Sequence, residues 1–437
     1  MDMKLNTTDV LFVVSSSPSP AMFQALRTQG MPPLGVGYIA TCLMQANYTT
    51  KIIDMSLSDN TITTVLDFLK KSKTNIVGLS CTTETYKSAV RIAKEIKKID
   101  KSMIITFGGP HVSFLYEEAL LCNPEIDYII LNEGEISFKK LCDYCIRKEG
   151  SLDELKGIAY RINNKVVRAE PEPFIQDLDK LPFPNRDLFP DLRKYAFPAT
   201  ISTSRGCPGQ CVFCAASVLS GGKYRMRSAR NIVDEFEYLK SLGFNHVLII
   251  DDTMTASINR LDAFLNEMIS RQLQMTWYCE SRVDVISRDM LIKMKAAGLV
   301  HIQFGVESGE QKILDSIKKK ITLQQIYDSF RWCQEMGIIT STNLIIGQPE
   351  DSLDTIETTL NFGKELALLG ARISFTICTP FPGTPLWLYP EKFGIQIVDH
   401  DLNHYTTLCP VFNTKHLTTT QIRNEYYRAI KEFHTKT

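Results

Sequence analysis

No stretch of the 437-residue chain approaches the roughly 18 consecutive apolar residues of a membrane-spanning helix, so no membrane span is expected. The apolar run nearest the N-terminus, Val10 to Val14, is too short for the core of a secretion signal, which leaves a cytoplasmic protein as the expectation. An excess of either charge is also missing. Lys plus Arg and Asp plus Glu each total 49, so nothing chain-wide draws the protein toward nucleic acid or an anionic membrane. Neither low-complexity tracts nor internal repeats with a period of about 20–50 residues occur, which excludes a solenoid.

What is present reads as globular. Hydrophobic residues make up 44% and charged residues 22%, enough to build a real core. At about 150 residues per domain, the length suggests two or three domains. Twelve cysteines fit a reducing compartment, where clustered thiols signify metal or redox chemistry more often than disulfides.

The first 150 residues alternate apolar strands with amphipathic helices. Strands are expected at Val10–Val14, Lys51–Asp54, Ile76–Ser80, Met103–Phe107 and Tyr128–Leu131, and Ala89, Ile92, Ala93, Ile96 and Ile99 recur at helical spacing. This alternation predicts an α/β fold: a doubly wound, Rossmann- or flavodoxin-like parallel sheet. Pro171, Pro173, Pro182, Pro184, Pro190 and Pro198 then break the chain, marking 151–199 as a proline-rich linker. A second alternation follows over 200–385. Its strands are expected at Thr200–Ser204, Val247–Ile250, Thr276–Cys279, Ile302–Val306, Ser341–Ile346 and Ile373–Cys378, making a partial (β/α)6 barrel. Residues 386–437 form a C-terminal extension ending in a short helical tail, with Ile422, Tyr426, Ile430 and Phe433 on one face.

Directly after the first barrel strand comes Ser204-Arg205-Gly206-Cys207-Pro208-Gly209-Gln210-Cys211-Val212-Phe213-Cys214. Three thiolates within eight residues can wrap one corner of an iron–sulfur cube and leave its fourth iron open to a chelating substrate. A structural zinc site would want a fourth Cys or His nearby, and the next cysteine is Cys279. Three inert free cysteines fit poorly in a Gly-Pro-Gly loop at a strand's C-terminal end, where barrel enzymes place their sites.

This spacing, with an aromatic before the last cysteine, resembles the signature of the radical S-adenosylmethionine (SAM) superfamily. From about Val10 to Pro385 the chain looks like the branch carrying a cobalamin-binding domain, which includes many cobalamin-dependent methylases and the anaerobic chlorophyll ring cyclase. The resemblance implies a 4Fe-4S cluster on Cys207, Cys211 and Cys214, with SAM on the open iron and an external low-potential electron donor of flavodoxin or ferredoxin type. It further implies SAM contacts at Asp251 and Asp252 after the second barrel strand, Glu280 and Arg282 after the third, Glu307 after the fourth and Gly347 after the fifth. The acids suit a cationic amine and the arginine a carboxylate. Asp251 or Asp252 could equally cap the next helix, and the other charges could be barrel-mouth ion pairs. Phe381-Pro382-Gly383-Thr384-Pro385 matches a family hallmark that reads physically as a rigid turn.

In the first domain, Met31-Pro32-Pro33-Leu34-Gly35-Val36-Gly37 resembles the start of the family's cobalamin domain. With it, Ser80 and Thr82, Gly109 and His111, and Glu133 and Gly134 fall after the third, fourth and fifth strands, where open parallel sheets bind ligands. These residues form the expected corrinoid face. The Asp-x-His-x-x-Gly motif that supplies cobalt with a histidine is absent, and His111, the one histidine of this domain, is read as touching the corrinoid or satisfying backbone. Cys142 and Cys145 are read as core residues of one helix.

The implied function is a cobalamin-dependent radical SAM methyltransferase acting on an unactivated carbon or phosphorus centre of a small-molecule or peptide substrate. Alternatives are a cobalamin-dependent cyclase or rearrangement enzyme, a tRNA methylthiotransferase, and a non-catalytic cobalamin sensor. A methylthiotransferase would carry a second three-cysteine cluster, which is not evident, and a sensor would leave the cysteine triad unexplained.

Overall fold

Runs rich in Val, Ile and Phe become strands because branched and aromatic side chains pack well on a pleated surface. The computed structural model describes residues 6–16, 30–57 and 59–434, and the chain divides into two units, Met1–Pro198 and Ala199–Thr437. No helix among the described residues is long and apolar enough to cross a membrane.

The first unit holds a seven-stranded sheet of order β2-β1-β3-β4-β5-β6-β7. Strands β1 (Asn6–Val14), β2 (Thr50–Asp54), β3 (Ser72–Ser80), β4 (Ile104–Gly108) and β5 (Tyr128–Ile130) are parallel. Their order is the flavodoxin-like one, which settles the choice between the two doubly wound patterns and puts the topological switch at β1 and β3. Between β3 and β4 the helix Tyr86–Ile99 buries Ala89, Ile92, Ala93 and Ile96 of the face that the spacing predicts, while Ile99, its last member, is exposed at the helix end.

Strands β6 (Ile158–Ile162) and β7 (Lys165–Arg168) extend this sheet as an antiparallel hairpin. They correct the reading of 151–199 as linker. Ile158, Ala159 and Tyr160 are buried and cover the edge of β5. The proline-rich stretch beyond is extended but also belongs to the first unit. Tyr195 donates from its buried hydroxyl to Asp54 Oδ2 at 2.8 Å, and the Phe189 ring lies where any side chain at Gly37 would stand, 2.5 Å from its Cβ position. Proline density reported stiffness correctly, but stiff chain can pack as well as span.

The second unit is built on six parallel strands in the order β15-β14-β13-β12-β11-β8. These are β8 (Thr200–Ile201), β11 (His246–Ile249), β12 (Thr276–Ser281), β13 (Leu299–Glu307), β14 (Ile339–Ile346) and β15 (Arg372–Ile377). Neighbours in sequence are neighbours in space, so right-handed crossovers place every connecting helix on one face and leave the other open. Buried residues such as Trp277, Cys279, Ile302, Phe304 and Phe375 face the helices. Trp277 stacks edge-on against Phe264, centroids 5.5 Å apart, and its indole N–H reaches Ala297 O at 2.9 Å. The helices beginning at Ala229, Ile258, Arg288, Leu323 and Leu353 are each capped by Ser or Thr: Ser228, Ser257, Ser287, Thr322 and Ser352. Such a cap is typically worth ~1 kcal/mol.

Two expectations shift here. The strand read as Thr200–Ser204 divides, because Ser204 and Arg205 leave β8 and pair antiparallel, as β9, with Arg225 and Met226 of β10. The residues after Pro385, read as an extension, are part of the second unit's core. Ile377 N donates to Thr407 O at 2.7 Å, and the helix Thr419–His434 buries Ile422, Tyr426 and Ala429. Phe433 of that helix packs on Phe375, centroids 4.9 Å apart.

Because β6 and β7 cover the edge of β5, a fragment of residues 1–198 is expected to unfold in one cooperative thermal transition. A fragment ending at residue 150 exposes that edge and should aggregate. Circular dichroism with light scattering distinguishes the outcomes.

Candidate active site

The cysteine loop starts where only glycine fits. Gly206 has φ +88°, and a Cβ there would lie 2.3 Å from Lys223 O. Past this turn, Cys207, Cys211 and Cys214 are half-buried free thiols. The Cβ position of Gly209 lies 3.3 Å from Cys207 Sγ and 3.9 Å from Cys211 Sγ, so both sulfurs flank one open space. Gly209 N donates to Cys207 Sγ at 3.4 Å. Val212 braces the loop from below, donating to Ile317 O at 3.1 Å and accepting from Leu386 N at 3.2 Å.

Among the described residues no three His, Cys, Asp or Glu side chains gather closely enough for a single metal ion. Burial raises the Cys211 thiol and pushes Cys214 up to about 11, so metal loading must expel protons.

The acid pair after β11 splits into two roles. Asp251 is 2% exposed and turned inward. It accepts from Thr203 N and Ser204 Oγ, each at 2.6 Å, and from the Thr203 hydroxyl. Arg260 stands 3.9 Å away and also reaches Thr203 Oγ1 at 2.7 Å. Asp251 therefore fixes the entry to the cysteine loop, which corrects its reading as a cofactor contact: the carboxylate has no face left to offer. Asp252 is exposed, with its pKa raised by the surrounding protein and by Asp251.

Glu280, Arg282 and Glu307 lie around a residue that sequence reading passed over, Lys319. Its ammonium is 2.5 Å from Glu307 Oε1, and both side chains are almost fully buried. Burial alone would lower the lysine's pKa, but Glu307 offsets this and the net shift is upward. The ammonium lies over Gly305, whose Cβ would come within 2.6 Å of it. Lys319 belongs to the run Lys318-Lys319-Lys320, which reads as a solvated turn, and no feature of the run distinguishes its middle member.

Arg282 grips Asp284 through two bonds of 2.9 Å and donates to Lys319 O at 2.6 Å. Its NH1 is left 3.6 Å from the Cβ position of Gly209, facing the cysteine loop. Burial, then Asp252 and Glu307, push the Glu280 carboxyl up to about 7. The recess thus holds three acids and two cations beside the thiols.

Gly347 is required by φ +78°, and its Cβ position is filled by Ile422 at 2.7 Å. The glycine admits the C-terminal helix, a different reason from close approach of a cofactor. Asp351 anchors the same loop, accepting from Gln348 N at 2.8 Å and Thr355 Oγ1 at 2.9 Å.

On the first unit, the expected corrinoid face also divides. Gly109 (φ +109°) and Gly134 serve packing, since a Cβ would meet Cys81 O at 2.3 Å and Ile39 Cδ1 at 2.6 Å. Glu133 Oε2 accepts from Ile175 N at 2.9 Å. His111 is buried, stacked on Tyr86 with centroids 4.2 Å apart, and its Nδ1 is 3.1 Å from Thr83 Oγ1. Burial lowers its pKa to about 4. It therefore bonds a side chain rather than backbone and is sealed within the domain. Gly35, by contrast, has open space at its Cβ position, and Ser80 and Thr82 stand at the carboxyl end of β3. That end of the sheet lies beside the β1/β3 switch, where open parallel sheets bind their ligands. Cys142 and Cys145 are buried core thiols as read.

Residues 201–363 match the radical SAM superfamily model and residues 25–142 the B12 binding domain model. The chain belongs to the radical SAM superfamily, in the group that joins a B12 binding domain to the radical SAM domain, and it is an enzyme. It is 33% identical over 430 residues to the uncharacterized methyltransferase PH0819 of Pyrococcus horikoshii, covering 97% of this chain and 92% of that protein. The anaerobic magnesium-protoporphyrin IX monomethyl ester cyclase of Rubrivivax gelatinosus is 28% identical over 394 residues, 87% of this chain and 69% of the cyclase. In fold it resembles the radical SAM methyltransferase TsrM of Kitasatospora setae, solved with cobalamin and a [4Fe-4S] cluster, at TM-score 0.73 and 16% identity, covering 96% and 82% of the two chains.

Removing one member of a buried ion pair strands the other charge. Lys319→Ala is therefore expected to destabilise the cofactor-free protein by about 3–5 kcal/mol, and Lys319→Met with Glu307→Gln to recover most of that. Urea unfolding of the three proteins measures both.

Proposed function

We propose that the chain is a cobalamin-dependent methyltransferase acting on an unactivated carbon or phosphorus centre of a small-molecule or peptide substrate. The observation that carries this reading is the three-thiol loop and a B12 binding domain in one chain, similar over 97% of its length to a protein named as a methyltransferase. When bound, the cluster and SAM supply one-electron radical chemistry and the corrinoid supplies methyl transfer.

The chain's own residues position and balance these groups. Cys207, Cys211 and Cys214 would hold the cluster, leaving one iron for SAM. Asp252 and Glu280 would take the SAM amine, and Arg282, through its spare NH1, the carboxylate. Glu307 would face ribose or amine from its place beside Lys319, and Gly347 would shape the adenine side. Gly35, Ser80 and Thr82 would meet the corrinoid, with the loops of Gly109, His111, Glu133 and Gly134 keeping that edge in shape. A low-potential flavodoxin or ferredoxin would deliver the electron. Similarity to the magnesium-protoporphyrin cyclase supports a second reading, radical ring formation without methyl transfer.

With SAM and a low-potential reductant, the wild-type protein should form both S-adenosylhomocysteine and 5′-deoxyadenosine. Changing all three cysteines to alanine should remove the iron and abolish 5′-deoxyadenosine. A variant that keeps its iron and still makes 5′-deoxyadenosine contradicts the cluster assignment. Arg282→Ala should weaken SAM binding by about 1.5–3 kcal/mol.

A pH dependence follows from Glu280, whose carboxyl titrates near 7. A cationic amine needs the ionised form, so SAM affinity should rise as pH climbs toward 7 and level off above it, with proton release on binding. Equilibrium dialysis between pH 6 and 8 tests this, and Glu280→Gln should flatten the profile.

A further inference from the structure

The open face of the second sheet is polar where barrel interiors are ordinarily filled with branched apolar side chains. Along β13, Ile302, Phe304 and Val306 are buried against the helices, so His301 and Gln303 point the other way. One row crosses the sheet in register: Glu280 pairs with Gln303, Gln303 with Ser341, and Ser341 with Arg372. Three strand spacings of about 4.8 Å make this row about 14 Å long, the reach of a small metabolite.

The row is joined side chain to side chain. Gln303 Nε2 donates to Glu280 Oε1 at 3.2 Å, and Ser341 Oγ to Gln303 Oε1 at 3.4 Å. His301 Nε2 is 2.9 Å from Ser341 Oγ. Burial and then the Arg372 guanidinium lower the His301 pKa, leaving a neutral imidazole beside the arginine. Arg372 is exposed at the start of β15, and its guanidinium has no hydrogen bond or ion pair among the described residues. An unpaired guanidinium beside neutral hydrogen-bonding groups suits two-point recognition of a planar or tetrahedral oxyanion.

We propose that this face binds a polar substrate carrying an oxyanion, carboxylate or phosphoryl, which Arg372 holds at the end of the row remote from Glu280. The inference rests on the reading of the second unit as the substrate-bearing half of the enzyme. It separates this chain from users of large apolar substrates: an apolar body laid on this face would cover the joined polar row and offer the Arg372 guanidinium no partner. Arg372 acts as a specificity residue and takes no part in the chemistry.

The test is retention of metabolites by the full-length protein, dialysed against a deproteinised extract of the cells that encode it and analysed by mass spectrometry. Wild type should retain anionic, water-soluble compounds. Arg372→Gln should lose them at least tenfold, and Arg372→Lys should keep part of that retention. Phosphatase treatment of the extract distinguishes the two anions, abolishing retention for a phosphoryl group and sparing a carboxylate. Retention of neutral lipids or tetrapyrroles, or equal retention of anions by Arg372→Gln, overturns the proposal. Since retention needs no methyl transfer, failure of the methyltransferase reading alone would leave this result intact.

Discussion

One buried carboxylate, Asp251, is the fixed point of the candidate active site. It gathers Thr203, Ser204 and Arg260 around the end of β11, and the cysteine loop leaves the sheet two residues beyond Ser204. A carboxyl group buried at 2% exposure is tolerable only because hydrogen bonds and a cation surround it. Those same bonds break β8 early, turn the chain toward Gly206 and set the direction from which the three thiols approach their shared space. The cysteine loop is held from three sides: Asp251 at its entry, and Ile317 and Leu386 at Val212.

Around that loop the protein maintains a recess of opposed charges. Burial first, and then the neighbouring Asp252 and Glu307, push the Glu280 carboxyl up to about 7, while the Lys319 ammonium pairs with Glu307 and offsets part of that charge. Strain accompanies the repulsion. Glu307 adopts φ +71°, where the register between β13 and β14 slips. A non-glycine residue in that region costs of order 1–3 kcal/mol and persists only where its surroundings dictate it. A zwitterionic, sulfonium-bearing ligand such as SAM would relieve the repulsion and meet the arginine with its carboxylate.

Periodicity located all five parallel strands of the first sheet, where burial on both faces leaves continuous apolar runs, and all six of the second, where apolar and polar residues alternate between a helix-covered and an open face. The hairpin β6–β7 was not legible because its strands are only five and four residues long, with no long apolar run, and lie directly before the proline-rich stretch. Cys207, Cys211 and Cys214 stand out because a spacing pattern survives in one dimension. The different duties of Asp251 and Asp252 could not, because adjacent residues on opposite sides of a chain look alike in sequence. Lys319 was hidden for the converse reason, its partner Glu307 lying 12 positions away in another element. His111 shows how a residue type can mislead, since a histidine in a ligand-side loop proved to be a packed ring.

The central claim is that one chain joins radical generation to methyl transfer. Its most direct test is a reaction of the loaded protein with deuterated-methyl SAM, a low-potential reductant and a metabolite extract, followed by mass spectrometry of the products. The account predicts a product heavier by one labelled methyl group, formed together with 5′-deoxyadenosine and S-adenosylhomocysteine. Substrate-dependent accumulation of 5′-deoxyadenosine with no label in any product would contradict it and assign the chain to radical chemistry without methyl transfer.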